Sequence, residues 1–314
     1  MNEPDVMVYL MTGFLDSGKT GFLKFTLKQD YFQIDGKTLL ILCEDGEDEY
    51  DAMEMLRYGV VIERLEDREE LTEEYLAELD RKHEPDRVVI EYNGMWKVSD
   101  FENMKLPKGW IEQKITTVDA STFQTYLTNL KPLFVEMVRG AEMVLFNRCE
   151  DIKPLAGYRR SVKVVSPQAE VIFEDEQGEV ENIFEDDVPY DLDAPVIEIP
   201  REDYGIWYVD MMENPARYRG KVIEISAKVL KPSGFPSKVF LPGRMAMTCC
   251  ADDTTFLGYV CRSAYAPKLK AGQWVKVRAK VRFANVSVYR GEGPVLEAEH
   301  IEAAEPIEEL VYFN

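Results

Sequence analysis

Histidine is almost missing from this chain. His83 and His300 are the only two in 314 residues and share no ligand spacing, so both read as surface residues. Cysteine is sparse as well. Cys43, Cys149, Cys249, Cys250 and Cys261 make an odd count without the pattern of a disulfide framework, and free thiols are expected. No apolar run approaches the roughly 20 residues that a membrane span needs, and residues 1–7 lack the basic-then-apolar start of a secretory signal. The expectation is a cytoplasmic chain with no direct membrane insertion. Positive charge is also short: 37 Lys and Arg stand against 58 Asp and Glu, a formal net charge of −21. The imbalance lies in the first 200 residues, which hold 44 acidic and 21 basic side chains. A surface of that sign repels phosphate backbones, and no basic stripe with interleaved aromatics appears, so nucleic acid is not expected as a partner.

What is present has a clear order. Residues 6–11, 38–43, 60–65, 87–92, 115–119 and 143–147 are short β-branched runs that read as buried strands, with amphipathic helical stretches such as 71–82 and 123–138 between them. This alternation predicts an α/β domain with a doubly wound, mostly parallel sheet. Beyond a further run at 170–173, an acidic, Gly-containing stretch closed by Pro195 and Pro200 marks a linker, so the domains are expected at 1–180 and 203–314 with the linker at 181–202. In the second domain, 206–218 reads as one helix. Residues 221–229, 238–248, 256–261, 273–283 and 294–301 read as five strands, the count of a small all-β barrel of the OB type.

The first turn carries the sharpest motif. "TGFLDSGKT", residues 12–20, supplies Gly13, four further residues, then Gly18, Lys19 and Thr20 between a predicted strand and a predicted helix. Glycines let the backbone turn its N–H groups inward, a lysine places a cation at the outer phosphates, and a hydroxyl at the helix start can ligate Mg²⁺. The pattern and its setting predict a phosphate-binding loop, which Gly21 follows. "VVIEYNG", 88–94, ends a buried strand on Glu91 and follows it with Gly94, a spacing that suits an acid on the metal's water shell and a backbone amide on the last phosphate. "CEDGEDE", 43–49, follows the second strand, where Glu44 and Glu47 could hold Mg²⁺ or a transition metal, or form a solvated acidic turn. "FNRCED", 146–151, closes the sixth strand, where guanine-specific proteins place Asn-Lys-x-Asp: Asn147 suits the base, Arg148 stands in place of Lys, and Glu150, in place of Asp, can accept from both N1 and N2 donors of guanine.

"TGFLDSGKT", "CEDGE", "PDRVVIEYNG", "TTVDAS" and "LFNRCED" follow one another as in the CobW-like P-loop GTPases of the CobW/HypB/UreG family, which residues 5–173 resemble. The resemblance implies GTP binding and slow Mg²⁺-dependent hydrolysis, with Gly13, Asp16, Ser17, Gly18, Lys19 and Thr20 around the phosphates. It places Glu44, Glu47 and Glu91 in the switch and metal region and Asn147 with Glu150 at the base. It also implies a role in zinc or cobalt homeostasis or metal delivery to a target. The chain departs from the family in that the usual Cys-x-Cys-Cys after the third strand is replaced by "VVIERLEDREELT", which has no cysteine, and Gly21 replaces the second Thr that often follows the phosphate loop, where a backbone N–H remains.

The C-terminal stretches "YRGKVIEISAKV", "RMAMTCCADDTTFLGYVC" and "EPIEELVYFN" resemble the terminal domain of YcgQ-type proteins, which accompany a membrane permease. The match implies partnership with metal or small-solute transport. Cys249 and Cys250 end a strand there. Because neighbouring strand residues point to opposite faces, the two share a metal only if the backbone turns, with Cys261 as a third ligand; otherwise one thiol is buried and one exposed. Cys43 and Cys149 read as small apolar fillers, and Tyr204, Trp207, Tyr208 and Met211 as a helix packing face. No Gln or Arg is placed to activate water, so a partner or a second copy in a homodimer would supply that group. The alternative to a GTPase switch is a non-catalytic, nucleotide-regulated scaffold whose barrel recognises a protein partner.

Overall fold

The computed structural model describes residues 6–44, 46, 49–152, 155–180, 188–247, 254–289, 291–307 and 309–311. Two compact units emerge, Met1–Ile183 and Phe184–Asn314.

The first unit runs β1 (Val6–Thr12), α1 (Lys19–Thr26), β2 (Thr38–Leu42), α2 (Ala52–Arg57), β3 (Val60–Arg64), α3 (Glu73–His83), β4 (Arg87–Glu91), α4 (Val98–Glu102), β5 (Trp110–Asp119), α5 (Phe123–Asn129), α6 (Lys131–Val138), β6 (Met143–Asn147), α7 (Leu155–Val165), β7 (Glu170–Asp175) and β8 (Gly178–Glu179). The sheet order is β3-β2-β4-β1-β5-β6-β7-β8. All neighbours are parallel except the edge hairpin β7–β8. Every residue of β2 and β4 is buried, as expected of strands covered on both faces. Alternate residues feed two cores. Val8, Leu10, Ile41, Ile90 and Phe146 pack with Leu76, Phe101, Phe123 and Phe134 on one face. Met11, Leu40, Leu42 and Val89 pack with Leu23, Leu27 and Met55 on the other. The α/β, doubly wound arrangement read from the sequence is therefore the observed one.

Two expected helices are each broken. The stretch 123–138 divides into α5 and α6 at Leu130 (φ −127°, ψ 32°), two residues ahead of Pro132, whose ring has no N–H for a continuing helix and crowds the preceding turn. In the second unit, 206–218 divides at Asn214 into α8 (Tyr204–Glu213) and α9 (Pro215–Tyr218) for the same reason, here Pro215.

A short strand, β9 (Ile197–Glu198), precedes that helix pair. After it come β10 (Val222–Leu230), β11 (Val239–Met247), β12 (Thr254–Gly258), β13 (Val260–Arg262), β14 (Trp274–Val286) and β15 (Gly291–Ala303). The pairings β10–β11, β11–β13, β13–β15, β15–β14 and β14–β10 close a five-stranded barrel, with β12 and β9 as outer additions. The single expected strand 256–261 is thus two. Gly243 and Gly258 face each other, and a Cβ on Gly258 would lie 2.7 Å from the Pro242 carbonyl, so the chain approaches β11 closely there before β13 turns to β15. Tyr204, Trp207 and Met211 are buried in the barrel core as expected, with Tyr208 packed against it. Cys43, Cys149 and Cys261 are buried free thiols. Burial pushes the Cys43 and Cys149 thiols up to about 12, which suits fillers rather than ligands. Cys249, Cys250 and Glu47 lie outside the described residues. His300 is exposed, whereas His83 is half-buried with Nε2 2.7 Å from Glu63 Oε1.

Candidate functional site

The site is built where β1 hands over to α1. Between them the chain makes a turn that glycine alone permits at two points. Gly13 has φ +141°, and a Cβ there would lie 2.4 Å from the Thr117 carbonyl oxygen. Gly18, the residue before α1, has φ +91°, and its Cβ would lie 2.4 Å from Asn147 Nδ2. Asp16 also takes a left-handed conformation, which a short polar side chain tolerates. The turn is closed by Ser17 N–H donating to the Phe14 carbonyl (3.1 Å), and the Ser17 hydroxyl lies 2.9 Å from that of Thr117 on β5. Gly18→Ala is expected to lower stability by about 1–3 kcal/mol, from the positive φ and the displaced Asn147. A urea midpoint equal to wild type would contradict that account.

Lys19 begins α1 and is buried (3% exposed). Its ammonium donates to the Gly13 carbonyl (2.8 Å) and the Phe14 carbonyl (2.9 Å), and lies 2.6 Å from Glu44 Oε2. Thr20 Oγ1 donates to Glu91 Oε1 at 2.6 Å, and the Tyr50 hydroxyl donates to Glu91 Oε2 at 2.5 Å. Burial pushes the Glu91 carboxyl above its ordinary range, against the hydrogen bonds from Thr20 and Tyr50 and the charge of Lys19. From the loop after β4, Gly94 N–H donates to Glu44 Oε1 at 3.1 Å. Gly94 packs so tightly on the first turn that a Cβ would meet the Gly13 carbonyl at 2.6 Å.

The third contributor is the end of β6. Asn147 Nδ2 donates to the Ser17 carbonyl at 2.8 Å, while Oδ1 is buried without a partner among the described residues. Arg148, with φ +53°, reaches back to donate to the Asp16 carbonyl (2.8 Å) and pairs with Asp119 Oδ2 (2.5 Å). Burial would raise the Asp119 carboxyl, but bonds from Ser121 and Arg148 prevail and hold it below its usual range. Leu15, Asp16, Gly18, Lys19, Thr20, Gly21, Glu44, Glu91 and Arg148 line one cleft of about 170 Å³. Glu150 is exposed and outside that lining.

Of the residues expected from the sequence, the structure therefore gathers the first turn, Glu44, Glu91, Gly94, Asn147 and Arg148 around one cleft. Tyr50, Asp119 and Thr117 were not expected. Tyr50 follows an acidic loop with no periodic signal, whereas Asp119 ends a strand beside Asn147 and was legible by position. Among the described residues no group of three His, Cys, Asp or Glu side chains could hold a metal ion, and no helix is long and apolar enough to cross a membrane. The chemistry of the donors fits a polyphosphate with a hard cation: a turn admitting only glycine, a buried ammonium, and a hydroxyl already facing a carboxylate.

Residues 7–173 match the nucleotide-binding domain of the CobW/HypB/UreG family, and residues 176–313 match the DUF1980 C-terminal domain. Among solved structures, the chain is similar to hydrogenase maturation factor HypB from Archaeoglobus fulgidus (18% identity, TM-score 0.38, covering 55% of this chain and 82% of that one). It is also similar to the Zn(II)-bound YjiA GTPase from E. coli (17% identity, TM-score 0.45, covering 82% and 89%). No curated protein matches it significantly.

Proposed function

The chain belongs to the CobW/HypB/UreG nucleotide-binding family, and from that premise we propose that it is a slow, Mg²⁺-dependent GTPase switch of the cytoplasm that serves metal handling. The observation that carries this reading is the line Lys19–Thr20–Glu91: an ammonium in the first turn, then a hydroxyl 2.6 Å from a buried carboxylate at the next strand end. Lys19 would hold the outer phosphates, Gly94 N–H the last one, and Thr20 with Glu91 the cation and its water. Mg²⁺, when bound, would neutralise the oxygens between the outer phosphates. Asn147 and Arg148, tied to the carbonyls of Ser17 and Asp16, fix the base strand against the phosphate turn. Zinc or cobalt is the proposed metal of the pathway. The C-terminal unit, Phe184–Asn314 with β9 on its sheet, is proposed as an OB-like module that meets a permease or a metalloenzyme target.

The test is turnover of GTP and ATP by the full chain with Mg²⁺, with and without Zn²⁺. GTP is expected to be preferred by about tenfold or more, and Glu150→Ala to reduce that preference to near parity, since no other acceptor for guanine N1 and N2 is proposed. Equal use of ATP and GTP by wild type would overturn the base assignment. Nucleotide binding without any hydrolysis would instead leave a scaffold, and identical rates with and without Zn²⁺ would remove the metal role alone.

A further inference from the structure

Glu44 is engaged with the wrong partners for a cation ligand. One carboxylate oxygen lies 2.6 Å from the Lys19 ammonium and the other accepts from Gly94 N–H at 3.1 Å. These two donors come from separate elements, the turn after β1 and the loop after β4. The proposed GTPase reading assigns Lys19 to the outer phosphates and Gly94 N–H to the last one. The Glu44 side chain is 9% exposed and Lys19 3%, so the contact is buried rather than a surface pairing. Its position is anchored locally: the preceding carbonyl, that of Cys43, accepts from Asn93 Nδ2 at 3.2 Å, next to Gly94 in the chain.

We propose that Glu44 acts as a built-in stand-in for the terminal phosphate, so that this residue sets the preference between diphosphate and triphosphate. The inference rests on the nucleotide-binding reading and deepens it. A carboxylate and a terminal phosphoryl group are both anions with oxygens of similar reach, and the single Gly94 N–H cannot serve both at contact distance without bringing two anions together. Bound triphosphate therefore has to displace Glu44 from Gly94. A diphosphate ends one phosphoryl group earlier. It reaches the N–H groups of the first turn and the Lys19 ammonium but not Gly94, and so leaves Glu44 on the Gly94 N–H. Displacement would move Glu44 within the cleft it shares with Glu91, so the phosphate count would be read beside that carboxylate.

The test is calorimetric binding of GDP and of a non-hydrolysable GTP analogue, at one Mg²⁺ concentration, to the full-length wild type, Glu44→Gln and Glu44→Asp. Glutamine keeps the shape and removes the charge; aspartate keeps the charge and loses the reach to both donors. Both variants are expected to tighten the GTP analogue on the order of tenfold relative to GDP in the same protein, and GDP binding reports that the variant is folded. An unchanged ratio in both variants would overturn the proposal. Selectively weaker binding of the analogue would overturn it too, because Glu44 would then be serving the cation. If wild type binds neither nucleotide, the underlying reading falls first, and that result is distinct from a ratio that fails to move.

Discussion

Lys19→Ala lowers affinity for a GTP analogue by about a hundredfold or more, and hydrolysis falls below detection. The size follows from what the ammonium does. It is the cation facing the proposed phosphate position that the first turn itself supplies, and it is buried, so its contacts to phosphate oxygens are charge-assisted and poorly screened. Two such contacts at about 1.5–3 kcal/mol each exceed the roughly 2.7 kcal/mol that a hundredfold represents. The substitution also has a structural cost. The carbonyls of Gly13 and Phe14 lose their shared donor, and Glu44 keeps only the Gly94 N–H. A buried carboxylate whose counter-charge has gone is destabilising, so the variant should also melt earlier in denaturant. Calorimetry and urea denaturation on one preparation separate the two losses. A variant that still binds within about threefold of wild type would show that the first turn is not where the phosphates sit.

Much of this candidate site is legible in the sequence, and the reason is geometric. A phosphate turn compresses its requirements into nine consecutive residues, 12–20, and both glycines that the sequence flags occupy positions where a Cβ would clash. Glu91 and Asn147 were legible because each ends a strand in a parallel sheet, and the carboxyl ends of parallel strands converge on one edge. The sheet's order was not legible, because period-2 burial says which strands are interior and nothing about which are neighbours. Tyr50 was missed because it lies in a loop and earns its role only through a hydroxyl that reaches Glu91 across 41 residues. Glu44 was expected near a cation and is found on one, but that cation is Lys19. A string of acids in sequence does not reveal which of them folds inward. The two broken helices share one cause: amphipathic periodicity continued past Pro132 and Pro215, although backbone hydrogen bonding could not.

Glu91→Gln is expected to divide stability from activity. Glu91 is 3% exposed, accepts from Thr20 and Tyr50, and has its carboxyl raised chiefly by burial. A raised folded-state value means that the folded chain holds this proton to higher pH than the unfolded chain does. Between the unfolded and the folded values the folded state binds more protons, so this group's contribution to stability falls as pH rises through that window, and the full cost of the buried charge is present above it. Glutamine carries no such cost. One of the two hydroxyls need only reverse its role and accept from the amide, which a rotating O–H does readily. The stability of Glu91→Gln relative to wild type should therefore increase as pH rises above 4.5, the ordinary value, as read from denaturant midpoints between pH 4.5 and 8. A difference that stays flat or shrinks with rising pH would overturn the assignment of a raised carboxyl. Over the same range the variant's Mg²⁺-dependent GTP turnover should be about a hundredfold or more below wild type, because an amide is a poor acceptor for the cation's water and supplies no negative charge opposite Thr20. A carboxylate whose burial costs the fold at neutral pH is thus one its proposed chemistry cannot do without.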